Sequence, residues 1–344
     1  MAQNRPPKSD DRESGLVQRM RISVQALPVT QPHVLLACSG GKDSVALASI
    51  FSELRRLDLL TFAIAHVHHG QHERADLAAE AVRSIGEILD VPVSVHRLDQ
   101  AGIDAHAGVG LEEAMRRERY LALATVANEH GAECIALAHH QKDQAETILL
   151  HLIRGSGIDG LAGMREWEER DIPWWSDSNG EHTVAVWRPL LGDPEEALAS
   201  VAEASGLPVV EDPTNLDPNY RRNAIRHQIL PLLESIAEGS TAAIARSAGI
   251  IASDVDVLES LTEASLRMCE VRGDLARAGL LDLHRGMQRR VVRLWVARMR
   301  PDLDLSANRI DAVIAMAERN RGGAMVEIGG GRSVRLEGGL LKFD

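Results

Sequence analysis

Cysteine is nearly absent: Cys38, Cys134 and Cys269 stand far apart in a chain of 344 residues. No Cys-x-x-Cys pair exists to hold a metal or cycle a disulfide, so buried reduced thiols are the expectation. Lysine is also scarce, occurring only at Lys8, Lys42, Lys142 and Lys342. No stretch reaches the roughly 18 consecutive apolar residues that a membrane helix needs. Residues 1–14 are polar, with Pro6 and Pro7, and lack the apolar core of a secretory leader. They point to a disordered tail over residues 1–20 and a cytoplasmic protein. A net charge of −12 argues against bulk, nonspecific nucleic-acid binding. What remains, 44% hydrophobic and 26% charged, is a globular composition with enough length for two or three domains.

The chain is organised around Val34-Leu35-Leu36-Ala37-Cys38-Ser39-Gly40-Gly41-Lys42-Asp43-Ser44. An apolar run, a Ser/Gly turn and a helix start follow one another. Two adjacent glycines allow backbone N–H groups close to an anion, and the helix N-terminus favours negative charge there. Ser39 and Ser44 add hydroxyl donors. Asp43 is an acid where phosphates would sit, which makes sense if a hard cation such as Mg²⁺ bridges them. The spacing is neither that of a Walker P-loop nor that of GxGxxG.

Further along, strands alternate with helices: a strand over 62–67, a helix over 73–89, a strand over 93–96, a Gly-containing loop over 100–110, a helix over 111–130 and a strand over 133–138. This alternation implies βαβ crossovers and a parallel α/β sheet. The second strand ends in His66-Val67-His68-His69-Gly70-Gln71-His72, where no Cys or carboxylate completes a metal set; a ligand-binding strand end is the preferred interpretation. Arg116 and Arg119 are neighbours on one helix face, either solvated or facing an anion. The strand before residue 139 runs into His139-His140-Gln141-Lys142-Asp143-Gln144-Ala145-Glu146-Thr147. Asp143 and Glu146, three apart at a helix start, could compensate the helix dipole; holding a cationic substrate is preferred. Arg188–Leu191 reads as the last strand and 194–205 as a helix. From about 231 the pattern turns helical, with no strand expected before Ala324 and a hairpin around Gly329-Gly330-Gly331. Nine arginines between Arg267 and Arg300, including Arg289 and Arg290, stand against Glu270, Asp274 and Asp282, a local excess of about +6 that suits either phosphate backbone or a solvated face. Trp167, Trp174 and Trp175 share the stretch 165–185, which fits RNA stacking or local packing equally.

The Ser39–Ser44 loop closely resembles that of the N-type ATP pyrophosphatases. Over residues 30–344 the sequence resembles the tRNA(Ile)-lysidine synthetases. The landmarks are Ser39–Ser44, His66-Val67 with His69-Gly70, Arg116 with Arg119-Tyr120, His139-His140 with Asp143-Gln144 and Glu146-Thr147, and Arg154-Gly155-Ser156-Gly157. Later ones are Arg188–Leu191, Glu211–Asn215, Arg222-Asn223, Arg226-His227 and Pro231. One departure lies at the second strand end, where His68, Gln71 and His72 replace the usual residues.

The resemblance implies a Rossmann-like, five-stranded parallel sheet with helices on both faces over 21–230. A smaller, mainly helical tRNA-binding domain over 231–344 would follow, ending in a β-hairpin. It implies ATP, Mg²⁺, free L-lysine and a CAU-anticodon isoleucine tRNA as cofactors and partners, with a homodimer as a family expectation. The wobble cytidine would be adenylated with release of pyrophosphate, and the lysine ε-amine would then expel AMP. By the same resemblance, Ser39, Gly40, Gly41, Lys42, Asp43, Ser44 and His66 bind the nucleotide, with Asp43 on the metal. Asp143 and Glu146 hold lysine, His139 supports them or moves a proton, and Arg119 and Arg226 neutralise phosphate or adenylate charge or position the anticodon. A tRNA thiolase would need suitable cysteines, an NAD synthetase-type ligase would have no use for the basic helical region, and a noncatalytic RNA binder would not need Asp43, Asp143 and Glu146.

Overall fold

The computed structural model describes residues 9–68, 73–106, 108–172, 183–210, 221–300, 303 and 305–344. The positions His69–His72, Trp174, Trp175 and Glu211–Asn215 lie outside the described residues. The chain divides into two compact units, Met1–Ala252 and Ser253–Asp344.

The first unit opens with α1 (Ser9–Gln25), β1 (His33–Ala37), α2 (Lys42–Arg56), β2 (Thr61–His68), α3 (Glu73–Leu89) and β3 (Val93–Arg97). It continues through α4 (Gln100–Ala105), α5 (Leu111–His130), β4 (Cys134–Ala136), α6 (Gln141–Ile153), α7 (Ile158–Leu161), β5 (Trp167–Asp171) and β6 (Thr183–Trp187). Then come α8 (Glu195–Ser205), α9 (Arg221–Ala224), a π-helical turn Ile225–Ile229, α10 (Leu230–Ile236) and the start of α11 (Ser240–Cys269). The sheet order is β3-β2-β1-β4-β6-β5. Its first five strands are parallel, and β5 closes the edge antiparallel to β6. The chain builds outward from β1 to β3, then returns to place β4 on the other side of β1. The order therefore reverses between β1 and β4, and the loops after these strands diverge to leave a crevice at their carboxyl ends.

Strand β1 can sit at the centre because Val34, Leu35 and Leu36 are all buried, the continuous apolar run that a two-sided parallel strand requires. Alternation sends Val34 and Leu36 to one face, among Phe51, Trp187 and Leu198, and Leu35 to the other, among Tyr120 and Leu123. Phe51 stacks on Trp187 at 5.7 Å and meets Phe62 edge-on at 5.6 Å. Helix α5 ends at Gly131, whose φ of +64° provides a left-handed cap.

Several expectations change. The tail expected over 1–20 is helical from Ser9, and Leu16, Met20 and Val24 are buried in the first core, because their spacing places them on one face of α1. Arg19 on that helix pairs with Asp193. The loop expected over 100–110 contains α4, started by Asp99, whose carboxylate accepts from the Ala101 N–H. The last strand is Thr183–Trp187; Arg188–Leu191 forms the turn beyond it. The expected boundary at 230/231 falls at 252/253, inside α11, because no break in helical period marks the change of unit there.

In the second unit, β7 (Glu270–Val271), β8 (Asp274–Ala276), α12 (Arg277–Asp282), α13 (Arg285–Met299), α14 (Ala307–Arg319), β9 (Met325–Gly329), β10 (Arg332–Glu337) and β11 (Leu340–Phe343) follow α11. The hairpin β9–β10 is part of a five-stranded antiparallel sheet, ordered β7-β8-β11-β10-β9. Strands β7 and β8 depart from the expected helical pattern because they are short, begin with Glu270 and Asp274, and show no apolar alternation. Trp295 is buried at the centre of this core, and its Nε1 donates to the Gly273 carbonyl at 2.8 Å. The expected basic excess is reduced by acids from other parts of the unit. Arg289 binds Asp311 through two bonds of 2.8 and 2.9 Å, Arg285 reaches Glu318 at 2.8 Å, and Arg298 pairs with Glu263. Among the described residues, no helix is long and apolar enough to cross a membrane.

If α1 is part of the core, Met20→Ala should lower stability by about 2–5 kcal/mol, the usual range for emptying a buried Met site. Urea unfolding measures this, and an unchanged midpoint would return α1 to the status of a tail.

Candidate active site

The loop after β1 is shaped by its own backbone. Gly40 has φ +87°, a conformation costly for any residue with a Cβ, and its carbonyl accepts from the Val210 N–H at 2.9 Å. Gly41 precedes α2, and no side chain caps that helix. Its first N–H groups are therefore free of a competing side-chain acceptor, as an anion site needs. Ser44 Oγ donates to the Gly41 carbonyl at 2.9 Å and lies 3.3 Å from Ser39 Oγ. A cleft of about 220 Å³ opens beside the loop, lined by Ser39, Gly41, Asp43, Ser44, Arg119 and His139, with the apolar wall supplied by Val67 and Leu123. Asp43 Oδ1 is buried and has no hydrogen-bond partner among the described residues.

Three of the residues expected to bind the nucleotide, Gly40, His66 and Lys42, are not among those lining the cleft. His66 is buried beneath it, with Nδ1 2.9 Å from the Cys38 carbonyl, so it props the loop backbone; burial pushes its imidazole below the ordinary value. Lys42 is turned toward Glu195 and is not among the lining residues. Of the histidine run, His69 and His72 lie outside the described residues. His68 lies 3.1 Å from Asp76, and no group of three His, Cys, Asp or Glu side chains arranged for a metal occurs among the described residues.

The acids of α6 form the second part of the site. His140 caps α6: its backbone N–H donates to Asp143 Oδ2 at 3.1 Å, and its Nδ1 accepts from the Lys142 N–H at 3.2 Å. The ring's Nε2 then stands 3.6 Å from Asp43 Oδ2 and 3.5 Å from Asp143 Oδ2. Burial opposes charge on this ring, but Asp43 and Asp143 raise its pKa all the same. His140 thus links the loop acid to the helix acid, in the place expected of His139. His139 lines the cleft instead, where burial pushes it down to about 3 and keeps it neutral. Its Nδ1 has no partner among the described residues.

Asp143 and the fully buried Glu146 are held by two arginines from beyond residue 220. Arg226 Nη2 lies 2.8 Å from Asp143 Oδ1 and 3.0 Å from Glu146 Oε2; Arg222 Nε lies 2.7 Å from Glu146 Oε2. Burial would raise the Asp143 carboxyl, but His140, His139, Arg222 and Arg226 bring it down to about 2. Arg226, expected on phosphate, is therefore spent on the acids in this state. Arg119 does line the cleft, close to Tyr120, whose ring also carries Arg116 at 5.3 Å and Arg170 at 4.5 Å. Arg222 and His140 were not among the expected catalytic residues. The four-residue spacing of Arg222 and Arg226 was the available signal for the first; for the second it was the polar residue immediately before α6.

Residues 16–233 match the PP-loop domain family, and residues 275–341 match the TilS substrate binding domain. A tRNA(Ile)-lysidine synthase of Bordetella pertussis is 36% identical over 286 residues, covering 81% of this chain and 84% of the relative. The chain belongs to the tRNA(Ile)-lysidine synthase family. A family member from Streptomyces coelicolor is 35% identical over 338 residues, covering 94% of this chain and 88% of its own. In structure, the chain is similar to a U34-tRNA thiolase from Methanococcus maripaludis with its 4Fe-4S cluster. The TM-score is 0.57 at 17% identity, covering 71% of this chain and 80% of that one. That likeness concerns the fold, a parallel sheet shared with a different chemistry.

The neutral state of His139 has a measurable consequence. Below its ordinary value of 6.5 the unfolded chain takes up a proton that the folded chain refuses until about pH 3, so stability falls as pH drops through that window. Between pH 7 and 5, His139→Gln should remove a loss on the order of 1 kcal/mol, discounted for the ring's partial exposure. Denaturant midpoints across that range measure it; parallel pH profiles for the two proteins would contradict it.

Proposed function

We propose that the β1–β4 crevice carries out both steps of lysidine formation on the CAU-anticodon isoleucine tRNA. ATP lies with its β- and γ-phosphates on Ser39–Ser44, where the uncapped α2 N-terminus and the two hydroxyls face the leaving group. The buried Asp43 Oδ1, lacking a hydrogen-bond donor among the described residues, fits a divalent cation. Mg²⁺ held there would neutralise phosphate charge as it develops. The wobble cytidine's 2-carbonyl oxygen attacks the α-phosphate and pyrophosphate departs. Arg119, on the cleft wall, balances the negative charge of the adenylate phosphate. The ε-amine of lysine then adds at the activated carbon, and AMP leaves.

The observation that carries this reading is the His140 ring, which touches the environment of Asp43 on one side and Asp143 on the other. It joins the activation loop to the acids that would receive an ammonium group. For lysine to bind, its ammonium must displace a guanidinium from Asp143 or Glu146. The ammonium takes the place of that guanidinium on the carboxylate, which then holds the amine beside the crevice. Contact with tRNA falls to the second unit, where the substrate binding domain match lies, and the catalytic work to the first. The target base has to leave its stack to reach the crevice.

Asp143→Asn should abolish transfer of labelled lysine, by at least about a hundredfold, while ATP binding and tRNA-dependent pyrophosphate release persist. Undiminished lysine transfer by this variant would remove Asp143 from the second step.

A further inference from the structure

Only four lysines serve this chain against 34 arginines, and two of the four meet on one carboxylate. Lys42 begins α2, Lys142 is the second residue of α6, and Glu195 begins α8. Lys142 Nζ lies 2.8 Å from Glu195 Oε2, and Lys42 Nζ pairs with Oε1 of the same group. The three side chains are 44%, 29% and 23% exposed for Lys42, Lys142 and Glu195, so packing does not demand the arrangement.

Local energetics do not favour it either. The first turn of a helix prefers acids, yet α2 and α6 each carry an ammonium group there. In an arginine-dominated chain, the choice of lysine also departs from its habit. Lysine supplies a compact, mobile point charge with three rotatable donors, suited to phosphate oxygens whose positions change during a reaction. The platform beneath is fixed. The Gln141 N–H donates to the Asp193 carbonyl at 2.9 Å, Gln141 Nε2 reaches the Gly192 carbonyl at 3.4 Å, and Arg19 holds the Asp193 carboxylate. The starts of α6 and α8 are thereby tied together, with the Ser39–Ser44 loop alongside through Lys42.

We propose that Lys42 and Lys142 form a paired ammonium clamp for the pyrophosphate half of ATP, with Glu195 as the positioning residue that holds both lysines beside the loop until phosphate takes them. The inference rests on the assignment of Ser39–Ser44 as the phosphate loop. Partly exposed ion pairs are weak, so a polyanion carrying several charges can draw the lysines away from a single carboxylate. When pyrophosphate leaves, Glu195 recovers the lysines and eases its release. The two lysines pull Glu195 down to about 2, so it remains ionised and ready for this exchange.

The test is calorimetric titration of the full chain, with Mg²⁺ present, using ATP, inorganic pyrophosphate and AMP as separate probes. Lys142→Met should weaken ATP and pyrophosphate by about tenfold each, the value of one charged hydrogen bond, and AMP by less than about twofold. Glu195→Gln, with its lysines freed, should lower the KM for ATP and lower kcat as pyrophosphate lingers, and Glu195→Asp should restore the wild-type balance. A general packing defect would instead leave AMP and ATP equally weakened. Equal loss of all three probes in Lys142→Met, no loss at all, or a raised KM in Glu195→Gln would overturn the clamp. Failure of the wild-type chain itself to bind pyrophosphate, or to prefer ATP over AMP, would overturn the loop assignment beneath it.

Discussion

The candidate site depends on the burial of Glu146. A buried carboxylate needs hydrogen-bonded charge partners, and Arg222 and Arg226 supply them from 76 and 80 residues downstream. Breaking such a buried pair from one side typically costs about 3–5 kcal/mol. The need to satisfy Glu146 therefore pins the α9 and π-helical segment against α6. Arg226 sits within the π-helical turn, a local widening of the helix that often accompanies function. The same requirement leaves a set of charges able to change partners, because arginine and a substrate ammonium satisfy the acids by the same electrostatics.

From the loop outward, charge runs through an alternating series: Asp43, His140, Asp143, Arg226, Glu146 and Arg222. The sheet places the two ends of this series together. β1 and β4 are adjacent, the strand order reverses between them, and the polar residues following each strand meet in one crevice. In the proposed function, an anion would meet backbone N–H groups at the start of α2, and a cation the carboxylates three residues apart in α6. One crevice can thus receive a triphosphate and an ammonium group without either crossing a region of its own sign.

Features carried by a few consecutive residues were legible in the sequence. The Ser39–Ser44 loop, the helices at 73–89 and 111–130, and the parallel order all follow from local pattern and spacing. What could not be read were pairings made across the fold. Nothing near Asp143 announces Arg226, and nothing near Lys142 announces Glu195. The arginines of α13 looked unbalanced because Asp311 and Glu318, from the helix packed beside them, lie outside the stretch where charge was counted. Arg188–Leu191 read as a strand because its leucines are apolar, but Pro189 lacks an amide donor, and the strand ends at Trp187. The Ser39–Ser44 turn lies between β1 and α2 as expected, because its shape is set by six consecutive residues.

The central claim is that one crevice both splits ATP and delivers lysine to a specific tRNA. The most direct measurement incubates the full chain with ATP, Mg²⁺ and labelled lysine, with isoleucine tRNA transcript in one tube and methionine tRNA bearing the same CAU anticodon in another. Label and pyrophosphate are expected with the isoleucine tRNA and no label with the methionine tRNA. Pyrophosphate release without labelled RNA would contradict the claim by separating the loop's activity from the lysine step assigned to Asp143 and Glu146.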